Sequence, residues 1–291
     1  MTKNHAVVMI AGSSRNRRRA SITVSSLFFI GLSIIVLIPF ICILVGSFQP
    51  GADIVTYGLR LTINPDRFTL DCYRNLFLGE NHYFTWFKNS VLVTAIQTVC
   101  TLAITSFVAY GFSMYRFKGK NILFALVMFT MMIPFEIILL PLYQQMIQMR
   151  LINTYAGIIL PFVANSLAIF FFRQYLSGIS HDFVDAGRVD GCTEYGIWLR
   201  IMVPLMAPSY AAMGIFVGMN SWNNVLWPMI IINSQSKITL PVGLSSLITP
   251  YGNNYDLLIA GAVFSVLPIF VLYLFFQKYF ISGLTAGGIK G

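Results

Sequence analysis

Marked as apolar or polar, the chain separates into six long apolar runs divided by short polar passages, centred in Val24–Phe48, Phe87–Phe112, Ile122–Met146, Tyr155–Phe172, Leu205–Ile232 and Leu257–Ile281. A helix needs about 20 apolar residues to cross about 30 Å of hydrocarbon. The runs are continuously apolar rather than alternating, which selects helices over the strands of a barrel. The pattern predicts an all-α, polytopic membrane protein with six transmembrane helices.

Composition agrees. Of 291 residues, 57% are hydrophobic and 10% are charged, whereas a soluble domain carries about 25% charge. The formal net charge is +9. Its placement explains it better than nucleic-acid binding does. Arg15, Arg17, Arg18 and Arg19 precede the first run, and Arg116, Lys118 and Lys120 fill a short loop. Basic clusters beside spans mark the cytoplasmic side. With the N-terminus inside, thirteen Lys and Arg fall inside and six outside or at the outer edge. The expectation is a multi-pass membrane protein with both termini cytoplasmic. Residues 1–20 read as a basic tail, and residues 21–291 as one transmembrane domain. The run from Ile22 to Phe48 is too long for the apolar core of a signal peptide and reads as a retained anchor.

Cys42, Cys72, Cys100 and Cys192 are far apart, two in spans and one on each side, so neither a disulfide nor a zinc site is expected. His5, His82 and His181 are isolated, and no metal site is expected.

The longest polar passage of the second half is "FVDAGRVDGCTEYGIWLRIMVPLMAP", residues 183–208. Ser180 can cap a helix with Asp182 in its first turn. Asp190–Gly191 reads as its end, because glycine tolerates the left-handed conformation there. Thr193 and Glu194 open a second short helix, and Pro204 leads into the fifth span. A short, partly apolar helix outside the bilayer suits docking in a partner's groove; lying on the lipid surface is the alternative.

The spacing adds to this. Permease subunits of bacterial binding-protein-dependent ABC importers carry a cytoplasmic loop patterned Glu-Ala-Ala, three residues, Gly, nine residues, Ile, any residue, Leu-Pro. Asp185, Ala186, Gly187, Gly191, Ile201, Val203 and Pro204 fit that register, with Asp, Gly and Val as conservative departures. "SWNNVLWP", "TLPVGL", "YRFKGK" and the terminal "GLTAGGIKG" resemble the carbohydrate-importing members. The chain resembles the second permease subunit of maltose-type carbohydrate importers. That resemblance implies a type I importer permease fold with a coupling loop at about 173–204. It implies a second permease subunit, two copies of a cytoplasmic ATPase that bind ATP and Mg, and an extracytoplasmic solute-binding protein. The terminal Gly287, Gly288 and Lys290 are implied to reach the ATPase. No ATP-binding motif occurs in this chain, and no cofactor is expected in it.

Ala207, Ala211, Gly214, Gly218 and Ser221 form a small-residue stripe, fit for close crossing with the partner permease or with a helix of this chain. Beyond it, Asn220, Trp222, Asn223 and Asn224 sit toward the outer half of the fifth span, with the three Asn on one helical face. Amides can donate to and accept from sugar hydroxyls, so these residues either line the path or bond between helices. Glu136, between Pro134 and Pro141, is the acid of the third span; it lines the path or pairs with a base such as Lys88. Carbohydrate uptake is the expectation, with a glycerol phosphate ester as an alternative solute. A membrane-embedded enzyme would need paired catalytic groups at depth, and the spans offer Glu136 and no His. A secondary transporter would show repeats and broken helices, which the sequence does not display.

Overall fold

The computed structural model describes residues 3–58, 65–79, 81–249 and 252–286. Helices dominate; among the described residues the sole strand pairing is Ile248–Thr249 with Gly252–Asn253. The backbone divides into two compact units, Met1–Gly79 with Asn254–Val263 and Glu80–Asn253 with Phe264–Gly291.

The first unit contains the helix Lys3–Gly46, of which Ile22–Gly46 is long and apolar enough to cross a membrane. After it the chain makes short helices, Gly51–Tyr57 and Asp71–Leu78. They are tied by the Arg67–Asp53 ion pair, by a Ser47–Tyr73 hydroxyl contact of 2.7 Å and by the Gly51 N–H donating to the Asp256 carboxylate.

The second unit is organised by the helix Tyr83–Met114. Its buried face carries many polar groups: Asn89, Ser90, Gln97, Thr101, Thr105 and Ser106 are buried beside Trp86, Val93, Ala109 and Met114, while Val91, Ile96, Val99 and Ile104 are exposed. In lipid this arrangement is favourable, since interior polar groups bond between helices and the apolar face meets acyl chains. Ser221 Oγ donates to Gln97 Oε1 at 3.1 Å, and Tyr210 donates to Ser106. Asn89 gathers the Tyr83 end: its amide donates to the carbonyls of Ser236 and Ile238, and its oxygen accepts from Tyr155.

Six crossings are reached when each bent helix pair counts as one. Tyr83–Met114 and Tyr255–Phe275 join Ile22–Gly46 as continuous candidates, and three pairs are bent: Lys120–Thr130 with Phe135–Gln148 by 99°, Tyr155–Phe162 with Ser166–Leu176 by 45°, and Glu194–Leu205 with Ala207–Trp222 by 83°. Broken helices are therefore present, and their supposed absence does not separate this chain from a secondary transporter. The bend of the third run is the one its prolines predict: Pro134 occupies the N-cap of Phe135–Gln148, where no amide hydrogen is needed. The fifth run is not one rod. Its membrane-deep helix stops at Trp222, and a separate helix covers Leu226–Ile231. At about 1.5 Å per residue the 16 residues of Ala207–Trp222 span about 24 Å.

Three residues of the small-residue stripe, Gly214, Gly218 and Ser221, face this chain's own second span. A Cβ on Gly214 would lie 3.5 Å from Leu102, and one on Gly218 would lie 3.6 Å from Thr98. "SWNNVLWP" is also structural at its tryptophans. Trp227 is fully buried and donates to the Gly157 carbonyl at 2.9 Å.

Candidate functional site

The polar passage after the helix Ser166–Leu176 folds as a helical hairpin. Its first arm is the helix Asp182–Val189. The cap position is His181, one residue past the expected Ser180, and His181 makes no side-chain cap. Ser180 nonetheless accepts the Asp182 N–H at 3.2 Å, in a turn that precedes the helix. The end is as expected. Gly191 has φ +74, its N–H donates to Arg188 O at 3.0 Å, and Cys192 N–H donates to Gly187 O at 2.9 Å. These paired bonds satisfy carbonyls that a helix end otherwise leaves open. Thr193 then caps the second arm, accepting the Gly196 N–H at 3.1 Å, and Glu194–Ile197 follows.

The second arm continues as a widened π turn, Trp198–Met202, into Val203–Leu205. Pro204 cannot donate to the carbonyl four residues back and crowds it, so a wider turn just before it is the natural adjustment. The 83° bend at Met206 then turns the chain into the helix Ala207–Trp222.

The hairpin is seated by apolar residues. Val184 is 1% exposed, and Ile197 and Met202 are fully buried in one cluster with Tyr110, Phe172 and Leu176. Gly187 is buried beside Ile201 and Ile197. The opposite face is open: Val189 is 88% exposed, and Phe183, Asp185, Ala186 and Tyr195 are exposed as well. Of the six predicted coupling residues, the fold brings Gly187 against Ile201. It sets Asp185 and Ala186 outward, puts Gly191 at the hinge between the arms, and leaves Pro204 exposed at the far end.

A charge cluster binds the arms together. Arg188 Nε donates to Glu194 Oε1 at 2.7 Å, and Arg188 Nη1 donates to Asp185 Oδ1 at 3.1 Å. Glu194 Oε2 accepts from the Tyr115 hydroxyl and, at 3.3 Å, from the Tyr110 hydroxyl. Hydrogen bonds from Arg188 and then Tyr115 hold the Glu194 carboxyl below the usual carboxylate range. The bond to Glu194, above all, raises the Arg188 guanidinium further above its usual value. Sequence reading missed Arg188, Glu194, Tyr110 and Tyr115 as a group. The Asp185–Arg188 spacing is visible along one helix; the tyrosines come from another span and leave no sequence signal.

The path candidates are distributed differently from expectation. Because the helix stops at Trp222, the three asparagines do not share a helical face. Asn220 is exposed and its amide donates to Phe216 O at 2.8 Å. Asn223 is exposed at the helix end, and Asn224 accepts the Trp227 N–H at 3.4 Å. Trp222 is 6% exposed with its ring edge-on to Phe87, so it packs in the protein interior. Glu136 is exposed in the first turn of Phe135–Gln148, and among the described residues no ion pair joins it to Lys88. The tail residues Gly287, Gly288 and Lys290 lie outside the described residues. Among the described residues no group of His, Cys, Asp and Glu is arranged to hold a metal.

Comparison with known proteins agrees with this architecture. Residues 102–285 match the family of binding-protein-dependent transport system inner membrane components. The arabinooligosaccharides transport system permease protein AraQ of Bacillus subtilis is 51% identical over 266 residues, 91% of this chain and 95% of that protein. The AraQ protein of Halalkalibacterium halodurans is 48% identical over 278 residues, 94% of this chain and all of that one. In the crystal structure of a bacterial ABC transporter that imports the acidic polysaccharide alginate, one chain superposes with a TM-score of 0.78 at 25% identity, covering 90% of this chain and 97% of that chain. These relatives are transport subunits and not enzymes. The chain thus belongs to the multi-pass inner-membrane permease components of binding-protein-dependent ABC importers.

Proposed function

We propose that this permease forms half of the translocation path of an importer for short neutral oligosaccharides, with arabino-oligosaccharides the first candidates. The 51% identity to an arabinooligosaccharide permease supports the substrate class. A second, different permease completes the path, a solute-binding protein delivers substrate at the outer loops, and both termini are cytoplasmic. Two copies of a cytoplasmic ATPase bind ATP and Mg and supply the work.

One observation carries the coupling role: the helix Asp182–Val189 is anchored on one face by Val184 and Gly187 and offers Phe183, Ala186 and Val189 on the other. An outward apolar face on a short helix seated by its other face is the form that fits a partner's groove. Closure of the ATPase pair pushes this helix, and the bent fifth span carries the motion into the membrane. The tail around Gly287, Gly288 and Lys290 reaches toward the same ATPase pair. Asn220, Asn223 and Glu136, which are exposed, are the path-lining candidates; their amide and carboxylate groups suit sugar hydroxyls. A carboxylate in the path disfavours anionic solutes such as phosphate esters.

Uptake into liposomes that hold the complete complex and ATP tests the proposal. Arabino-oligosaccharides are expected to accumulate, and uronate oligomers and glycerol phosphate esters are not. Accumulation of the anionic solutes in preference to the neutral sugars overturns the substrate assignment.

A further inference from the structure

We propose that Glu194 is a positioning residue of the transport cycle, the strut that makes the end of the second span follow the coupling helix. This rests on the coupling role proposed for Asp182–Val189.

Three segments of the chain meet at one carboxylate. Arg188 reaches it from the coupling helix, Tyr110 and Tyr115 reach it from the Met114 end of Tyr83–Met114, and Glu194 itself opens the arm that leads to the fifth span. Both oxygens are used: Oε1 takes the guanidinium and Oε2 takes the two phenols. Arg188 extends the chain of contacts to Asp185 on the exposed face. A push on that face has a polar route through Arg188 and Glu194 to the second span.

The strut is separate from what folds the loop. Val184, Ile197 and Met202 are buried, Gly191 and Cys192 close the first helix, and Thr193 caps the second. None of these needs the Glu194 carboxylate. At its half-exposed site the Glu194–Arg188 pair contributes little to stability, as such ion pairs do. Its geometry matters more than its energy. Phenols have few rotamers, and a carboxylate gripped on both oxygens cannot rotate without breaking a bond. The apolar seat by itself leaves the helix free to roll about Val184 and Gly187; the Glu194 contacts oppose that roll on one side.

The test uses the complete importer in liposomes: this permease, its companion, the ATPase pair and the binding protein. Glu194→Gln is compared with Tyr115→Phe and with the double variant, reading assembly, basal ATP hydrolysis, stimulation by substrate-loaded binding protein, and uptake. Glu194→Gln is expected to assemble and keep basal hydrolysis, while stimulation falls about tenfold, within the usual range of coupling free energies. Tyr115→Phe, which leaves charge and ion pair intact, is expected to lose part of the stimulation, and the double variant to be no worse than Glu194→Gln. Full stimulation in both single variants overturns the proposal, as does simple multiplication of their effects. Should Glu194→Gln fail to assemble, Tyr115→Phe decides: unchanged stimulation overturns the proposal, and reduced stimulation with intact assembly supports it. A wild-type complex in which binding protein does not stimulate hydrolysis refutes the coupling role itself, whereas coupled wild type with coupled variants refutes only the strut.

Discussion

Gly187 lies directly against Ile201: a Cβ built on the glycine would be 2.8 Å from Ile201 Cδ1 and 3.0 Å from Ile197 Cγ1. The two residues stand on opposite arms of the loop, so their contact sets how closely the arms pack. The glycine in place of the family's second alanine is thereby a packing feature, and its helix-propensity cost of about 1 kcal/mol relative to Ala is the expense of that approach.

Gly187→Ala should be tolerated. The overlap is with the end of a flexible side chain, and better helix propensity offsets the small shift that Ile201 must make. Gly187→Leu should lift the first arm off its seat, by the 1–3 kcal/mol or so typical of overpacked sites. Binding-protein-stimulated hydrolysis checks both: near wild type for Ala, lost for Leu with membrane insertion retained.

Gly191→Pro should abolish coupled ATP hydrolysis while the chain still inserts. Proline cannot adopt the φ of +74 and removes the N–H that donates to Arg188 O. Gly191→Ala keeps the N–H and pays only for the left-handed conformation, about 1–2 kcal/mol, so partial coupling should survive. Wild-type coupling in the proline variant would count against the docking role.

Two cysteines report opposite environments. Burial, and then the Asp256 carboxylate, push the Cys72 thiol up to about 12, whereas Cys192 is exposed at the turn between the two arms. A membrane-impermeant maleimide at neutral pH should label Cys192 only from the cytoplasmic side and more slowly when the ATPase is present. Cys72 should stay unlabelled until the protein is denatured. The Cys192→Ser variant assigns the signal by mass spectrometry. Labelling of Cys192 from the outer side would invert the proposed topology.

The Glu194 cluster should loosen in acid. Its carboxyl is held below the ordinary value of 4.5. Its contribution is complete above that value and is lost as pH falls through the lower, folded value. Amide hydrogen exchange over residues 187–201, corrected for intrinsic rates, should therefore rise on the acid side of the carboxylate range by no more than about fivefold, the limit a half-exposed ion pair sets. In Glu194→Gln the same amides should show no such step.

Much of this was legible along the chain. Run length and continuity predict membrane helices because lipid requires each span to satisfy its own backbone. Pro134 marks a bend, and Asp190–Gly191 marks a helix end, because both act on the adjacent backbone and need no distant partner. The spacing from Asp185 to Pro204 marks the loop by local sequence, with no tertiary contact needed.

Other features depend on residues far apart in sequence, and only the tertiary structure decided them. Trp222 reads as a candidate path-lining residue, yet it is buried with its ring edge-on to Phe87. The second span reads as one long apolar run, yet its Asn89, Ser90, Gln97, Thr101, Thr105 and Ser106 are buried, because polar groups in lipid are better placed bonding between helices than facing acyl chains. Glu194 gains its role only when Tyr110, Tyr115 and Arg188 converge on it. By itself the sequence determined the spans, the loop and its hinge, since these follow from local hydropathy and backbone chemistry. The fold decided which polar groups face each other and which aromatics are core, because those depend on how one helix meets the next.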